Sequence, residues 1–177
     1  MASMKFSEMV TLAANNNSFC DAFPDELLLA IYWEETLFQN IAQTRGLNGK
    51  RGIGFGQVQE DTFPLINQRM GMGYEAGLVL QDDDLSAEIA SYALETFRRG
   101  FKSGNPVSAY KVGYAGATET GKFQVLDGRT RGAIADAVWQ AGRDLVSCGT
   151  DDLDGVRKAL MKARPVHGYI LDAVLTD

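Results

Sequence analysis

The sequence predicts a mainly helical fold, all-α or α+β at most, with one small glycine-rich hairpin or loop excursion. Apolar residues recur at i, i+3, i+4 and i+7 along most of the chain, and almost no stretch alternates with period two. The exception is the segment from Arg45 to Gln57, where Gly46, Asn48, Gly49, Gly52, Gly54 and Gly56 crowd together. Such a composition favours turns or an irregular hairpin over helix.

Taken in order, the elements follow from this periodicity and from local start and stop signals. A first helix is predicted over about 5–14. Pro24 and Asp25 then open a long helix over about 26–43, with proline at its first turn and an acid near its positive dipole end. Its stretch Leu27, Leu28, Leu29, Ala30, Ile31, Tyr32 and Trp33 is too broadly apolar for a surface helix. This helix is therefore expected to be central. After the glycine-rich excursion, helices resume near Asp61, with further ones over about 74–80, 86–101, 106–114, 130–148, 153–163 and 167–175. Asp82, Asp83 and Asp84 stand just ahead of Ser86, where acids cap a helix or face solvent more often than they bind metal. Repeats, low-complexity tracts and linkers are absent, so one domain spanning 1–177 is expected.

Composition narrows the function classes. At 177 residues and 45% hydrophobic content the chain can bury one substantial core. A net charge of -6 offers no basic surface to neutralise phosphates, so nucleic acid is not an expected partner. No apolar run approaches the roughly 18 residues of a spanning helix, and the N-terminal region lacks a signal peptide's apolar core. Cytoplasmic synthesis is expected, with any substrate beyond the membrane reached by another route such as phage lysis or secretion. Cys20 and Cys148 form no CxxC or Cys/His cluster, and His167 is the only histidine. No zinc site is expected, and no cofactor. His167 reads as structural or solvated, and the cysteines as buried thiols rather than a disulfide.

One constellation suggests chemistry. Glu34 and Glu35 close the apolar half of the central helix, and neighbours on a helix project about 100° apart, so only one can share the face of Ile31 and Phe38. The residues four away are Ala30 and Phe38 for Glu34, and Ile31 and Gln39 for Glu35. Neither acid has a cation to hand on its own helix. A carboxyl among Ile31, Tyr32 and Phe38 loses hydration, which raises its pKa toward the range of a general acid. About twenty residues on, Gly54-Phe55-Gly56-Gln57 supplies a backbone able to pass close to a ligand, and Gln57 adds an amide that can bond a sugar or orient a carboxyl. A nucleotide loop is not indicated, because no strand-loop-helix unit surrounds Gly52-Ile53-Gly54 and no GK[ST] follows.

Ala30-Ile31-Tyr32-Trp33-Glu34-Glu35-Thr36-Leu37-Phe38 resembles the A-x-x-x-x-E-S-x-F segment of soluble lytic transglycosylases and goose-type lysozymes. Gly54-Phe55-Gly56-Gln57 resembles that family's G-L-M-Q block, and Tyr110 with Lys111-Val112-Gly113-Tyr114-Ala115-Gly116 looks like its A-x-Y-N-A-G block. The pattern departs at three places: Thr36 stands for Ser, Gly56 for Met and Ala115 for Asn. The resemblance implies a lysozyme-like helical domain that cleaves the β-1,4 bond between N-acetylmuramic acid and N-acetylglucosamine in peptidoglycan glycan strands. It places Glu35 on the catalytic glutamate and Tyr114 on the tyrosine that contacts it. Thr36, Phe55, Gly56, Gln57 and Tyr110 become substrate-contact positions, with Phe55 and Tyr114 lining the cleft and Trp33 in the core.

A hydrolase needs a second carboxylate, for which Glu60 and Asp61 are the nearest candidates, although ahead of Thr62 and Pro64 they also read as helix-start residues. A lytic transglycosylase needs Glu35 alone, and that reaction is the expectation. The alternatives are a muramidase-type hydrolase, a chitin or chitosan glycosidase of the same fold, whose cationic form a negative chain attracts, and a non-catalytic glycan-binding module. Nothing in the sequence specifies a cognate inhibitor or immunity protein.

Overall fold

The computed structural model describes residues 2–43, 50–100, 105–116 and 128–176, with side chains described for all of these except 112–116. The described chain is mostly helical: α1 (Phe6–Asn16), α2 (Asp25–Thr36), α3 (Phe63–Met70), α4 (Ala76–Gln81), α5 (Asp83–Gly100), α6 (Pro106–Gly116), α7 (Arg131–Cys148), α8 (Leu153–Ala163) and α9 (Gly168–Leu175). Between α2 and α3 run β1 (Gly52–Ile53) and β2 (Val58–Gln59), followed by a 3₁₀ turn (Glu60–Thr62). The glycine-rich excursion is thus a hairpin, its strands antiparallel with Gly52 opposite Gln59 and Ile53 opposite Val58. Ala42 adds a bridge to Ile53 from the chain leaving α2. The 44–49 part of the excursion lies outside the described residues.

Local chemistry sets several boundaries. The backbone N–H of Lys5 donates to Glu8 Oε2 at 2.9 Å ahead of α1. Thr130 Oγ1 accepts from Ala133 N at 3.1 Å to start α7, and Asp152 Oδ1 accepts from Gly155 N at 3.0 Å to start α8. Each satisfies an orphan donor of a first helical turn. Asp82 does the same for Leu85 N at 3.1 Å, while Asp83 and Asp84 accept from Asn40 and Asn16. The acidic run therefore organises the start of α5 and its neighbours.

α2 is the hub, packing against α1, α7 and α8, while α5 packs against α1, α3, α4 and α6. Leu27 through Trp33 are all buried, as the breadth of the apolar stretch predicted. Tyr32 crosses to α5, its hydroxyl donating to Ala87 O at 2.8 Å. A second apolar cluster, including Ile53, Val58, Phe63, Ile66, Tyr74 and Ile89, fastens the hairpin and α3 to α5.

The long central helix stops sooner than predicted, at Thr36 rather than near Gln43. Leu37 and Phe38 take left-handed φ of 55° and 63°, a conformation that costs a non-glycine residue about 1 kcal/mol or more. Burial offsets it. Phe38 is fully buried, 5.3 Å from the Trp33 ring and 6.2 Å from Phe6. The turn also lets Leu37 N–H donate to Trp33 O at 3.0 Å and Phe38 N–H to Tyr32 O at 3.4 Å, closing the helix end.

The cysteines are free, but only partly as predicted: Cys148 is half-buried and Cys20 is exposed. Cys20 follows Phe19, and it is the aromatic ring that turns inward there, 5.0 Å from Tyr92. His167 holds left-handed φ of 68° at the N-terminus of α9.

Candidate functional site

Three separate stretches of chain meet at the C-terminal end of α2. Glu34 and Glu35 stand on its last full turn, and the hairpin turn 54–57 is tied beside them. Thr36 Oγ1 donates within reach of both Tyr32 O at 3.1 Å and Phe55 O at 3.0 Å, joining the helix end to the turn. From the other side, the Tyr110 hydroxyl of α6 donates to Gly56 O in a short hydrogen bond. The next residue on α6 closes the site: Lys111 Nζ lies 2.6 Å from Glu34 Oε2 and 2.6 Å from Glu35 Oε1.

The turn has little freedom. Gly54 has φ of 80°, and Gln57 N–H donates to Gly54 O at 3.1 Å. Ser86 Oγ of α5 accepts from Phe55 N at 2.9 Å. Gly56 is fixed by contact: a Cβ there would come 2.7 Å from the Ala90 methyl and run into the Tyr110 hydroxyl. The bulkier side chain that the resemblance sets at this position has no room, because α5 and α6 fill it.

The electrostatics centre on two acids sharing one base. Side-chain exposure is only 12% for Glu34, 17% for Glu35 and 12% for Lys111. Burial pushes the Glu35 carboxyl up from 4.5 to about 7; the Lys111 ammonium opposes this, and Glu34 reinforces it. Burial works against the Lys111 charge too, but the two carboxylates outweigh it and hold the ammonium above its ordinary value. Burial, with Glu35 next in effect, raises Tyr110 well above the usual phenol range, so it stays a neutral donor. Two carboxylates and one ammonium balance only when one acid holds a proton. Glu35 is placed to exchange that proton near neutral pH, which is the property a general acid requires.

The sequence-predicted residues divide. Glu35, Thr36, Phe55, Gly56 and Tyr110 are brought together, but several serve the scaffold rather than an open surface. Phe55 does not line a cleft: its ring is fully buried, 5.8 Å from Tyr32, because the turn drives it into the main core. Thr36 is 4% exposed, with its hydroxyl committed to backbone. Gln57 turns to the hairpin, Nε2 donating to Ile41 O at 3.0 Å and Gly54 O at 2.9 Å rather than to the Glu35 carboxyl. Trp33 is core, as expected. The side chain of Tyr114 lies outside the described residues. Glu60 and Asp61 form the 3₁₀ turn and are taken up in surface ion pairs, with Arg51 at 3.1 Å and Lys50 at 2.8 Å.

Sequence reasoning missed Lys111 and Arg164. Lys111 lies four residues after Val107, which is fully buried, so a lysine on the apolar face of a helix was the available signal. Arg164, between α8 and α9, donates to Glu34 O at 2.7 Å, a carbonyl left open where α2 ends. Nothing local to Arg164 advertises that reach.

Two cavities lie apart from the acids. One of about 310 Å³ is lined by Leu27, Trp139 and Arg143 among others, and one of about 340 Å³ by Phe6, Val10 and Leu153 among others. Neither includes Glu34, Glu35 or Lys111. Among the described residues no group of three or more His, Cys, Asp or Glu is arranged to hold a metal ion, and no helix is long and apolar enough to cross a membrane. No protein-family model matches the chain, and neither a curated protein nor a solved structure matches it. The chemistry of the site must therefore carry the functional reading.

Proposed function

We propose that this protein is a peptidoglycan glycosidase that cleaves the β-1,4 bond between N-acetylmuramic acid and N-acetylglucosamine as a lytic transglycosylase, with Glu35 as acid and then base. The observation that carries the reading is the Glu35 carboxyl, largely buried at the hairpin turn and raised to about 7. Protonated, it gives its proton to the glycosidic oxygen and the C1–O bond breaks, releasing the leaving sugar as its alcohol. The carboxylate so formed takes the proton of the muramyl 6-hydroxyl as that oxygen bonds to C1. The anhydro ring closes and Glu35 is protonated again. A raised pKa in a glycosidase acid is the pattern the lysozyme glutamate established, and a single carboxyl suffices for this route. The pairing of Glu60 with Arg51 and of Asp61 with Lys50 supports the one-carboxyl route over a hydrolase. In this reading the enzyme meets the wall after delivery from the cytoplasm by another route.

A second reading has its own support. Lys111 engages both acids, as it would in a purely structural ion-pair cluster, and this favours a glycan-binding module without catalysis. Glu35→Gln separates the two. On the proposal the variant folds and loses its ability to clear suspensions of purified cell walls, and retained clearing sinks the assignment. Mass spectrometry of the released muropeptides reads the reaction type: anhydro ends for the transglycosylase, reducing ends for a hydrolase. Chitin and chitosan, offered as alternative polymers, test the sugar specificity.

A further inference from the structure

The role of Lys111 goes beyond neutralising a buried charge. Among the described residues it is the cationic residue bonded to Glu35, and its ammonium is split between two carboxylates at equal distances of 2.6 Å. We propose that Lys111 is a positioning residue for Glu35, aiming its carboxyl beside the hairpin turn and stabilising the carboxylate formed when the proton leaves, while Glu34 neutralises the ammonium beforehand. The inference rests on the reading of Glu35 as the acid.

The geometry specifies this division of labour. α6 supplies adjacent residues to both halves of the site: Tyr110 holds Gly56 of the turn, and Lys111 holds the carboxyl. A shift of α6 therefore moves the turn and the acid together. From α2, Glu34 stands beside Glu35; from α6 come Lys111 and Tyr110; from the connection between α8 and α9 comes Arg164, spent on the Glu34 carbonyl. With Arg164 so engaged, Lys111 is the cation that answers the carboxylates among the described residues. A lone ammonium beside a single buried carboxyl would hold it ionised, and the acid could give no proton. Glu34 removes that obstacle by sharing the ammonium. When Glu35 releases its proton, the new charge meets a cation already in place, without reorganisation of solvent.

A merely structural cluster and a positioning pair differ in what their variants do to Glu35. Removing Lys111 takes away a positive charge that favours the carboxylate, so Glu35 should titrate higher. Removing the charge of Glu34 takes away a negative neighbour and frees the ammonium, so Glu35 should titrate lower. The test is a carbon-13 NMR titration of the glutamate carboxyls in the full chain, with the Glu35 resonance assigned by its loss in Glu35→Gln. In Lys111→Met the midpoint is expected to rise by about 1 pH unit or more, and in Glu34→Gln to fall by a similar amount. Lys111→Arg should return it toward that of the parent chain. Shifts in the same direction, or no shift in either variant, overturn the proposal. If Lys111→Met does not fold, Glu34→Gln decides alone: a fall supports the proposal, and a rise or no change overturns it. The alkaline limb of wall clearing against pH should move in the same directions as the titration. Opposite titration shifts in a protein that clears no walls would leave the action of Lys111 on Glu35 standing and overturn only the glycosidase reading.

Discussion

Replacing Glu35 by glutamine should change how stability depends on pH, whatever the substrate. The folded state holds this carboxyl at about 7 against an ordinary 4.5, so the folded protein binds the proton more tightly than the unfolded chain. The stability linked to that proton is fully present below the ordinary carboxyl range and is lost as pH rises through about 7. At about 1.36 kcal/mol per pH unit, the full displacement corresponds to roughly 3 kcal/mol, an upper figure because Lys111 moves with it. That is a large part of the roughly 5–15 kcal/mol by which such chains are stable. Urea unfolding, followed by tryptophan fluorescence at closely spaced pH values from 5 to 8, gives the curves for the parent chain and for Glu35→Gln. Other groups titrate in both proteins, so the difference between the curves isolates Glu35. Glu35→Gln should gain on the parent as pH rises, by up to about 1 M in midpoint urea concentration. A difference that stays flat across this window refutes the argument that burial dominates the carboxyl.

The hairpin turn and the thiols offer further tests. Gly56→Ala forces a Cβ against Ala90 and the Tyr110 hydroxyl, and should cost about 1–3 kcal/mol in urea unfolding; an unchanged midpoint would mean that α5 and α6 yield more easily than their packing implies. Tyr110→Phe leaves the Gly56 carbonyl without its donor and should cost about 1–2 kcal/mol, with wall clearing reduced because the turn loses its tie to α6. In the native protein a thiol reagent should label exposed Cys20 quickly and Cys148 slowly, since burial pushes the Cys148 thiol up, and mass spectrometry under non-reducing conditions should find no link between them.

The helices were legible where local signals and burial agree. α8 occupies 153–163 as its apolar spacing predicts, because Asp152 caps it and its apolar face meets α7 and α2. The end of α2 was not legible. Propensity favours continuing through Leu37 and Phe38, and it is the packing on the Phe6 and Trp33 rings, with the hydrogen bonds that close the helix end, that makes the left-handed turn worthwhile. The hairpin was readable as a glycine-rich irregularity. Its consequence for Phe55 was not, since the direction of a turn residue depends on what lies beneath it, here Tyr32 and the main core.

The site shows the same division. Burial of Glu35 is legible from its apolar neighbours, but its cation stands on another helix, 76 residues further on, where no spacing rule within α2 reaches. Finding Lys111 does not by itself make the acids structural, because one ammonium can neutralise only one of them. A cluster built for stability alone needs a single carboxyl, and a second one beside the same base is costly to keep charged at 17% exposure. That surplus acid, able to hold or release a proton near neutrality, is the property on which the catalytic proposal leans. It is also what the resemblance could not supply, since the family pattern identifies the position of Glu35 and is silent about the charge around it.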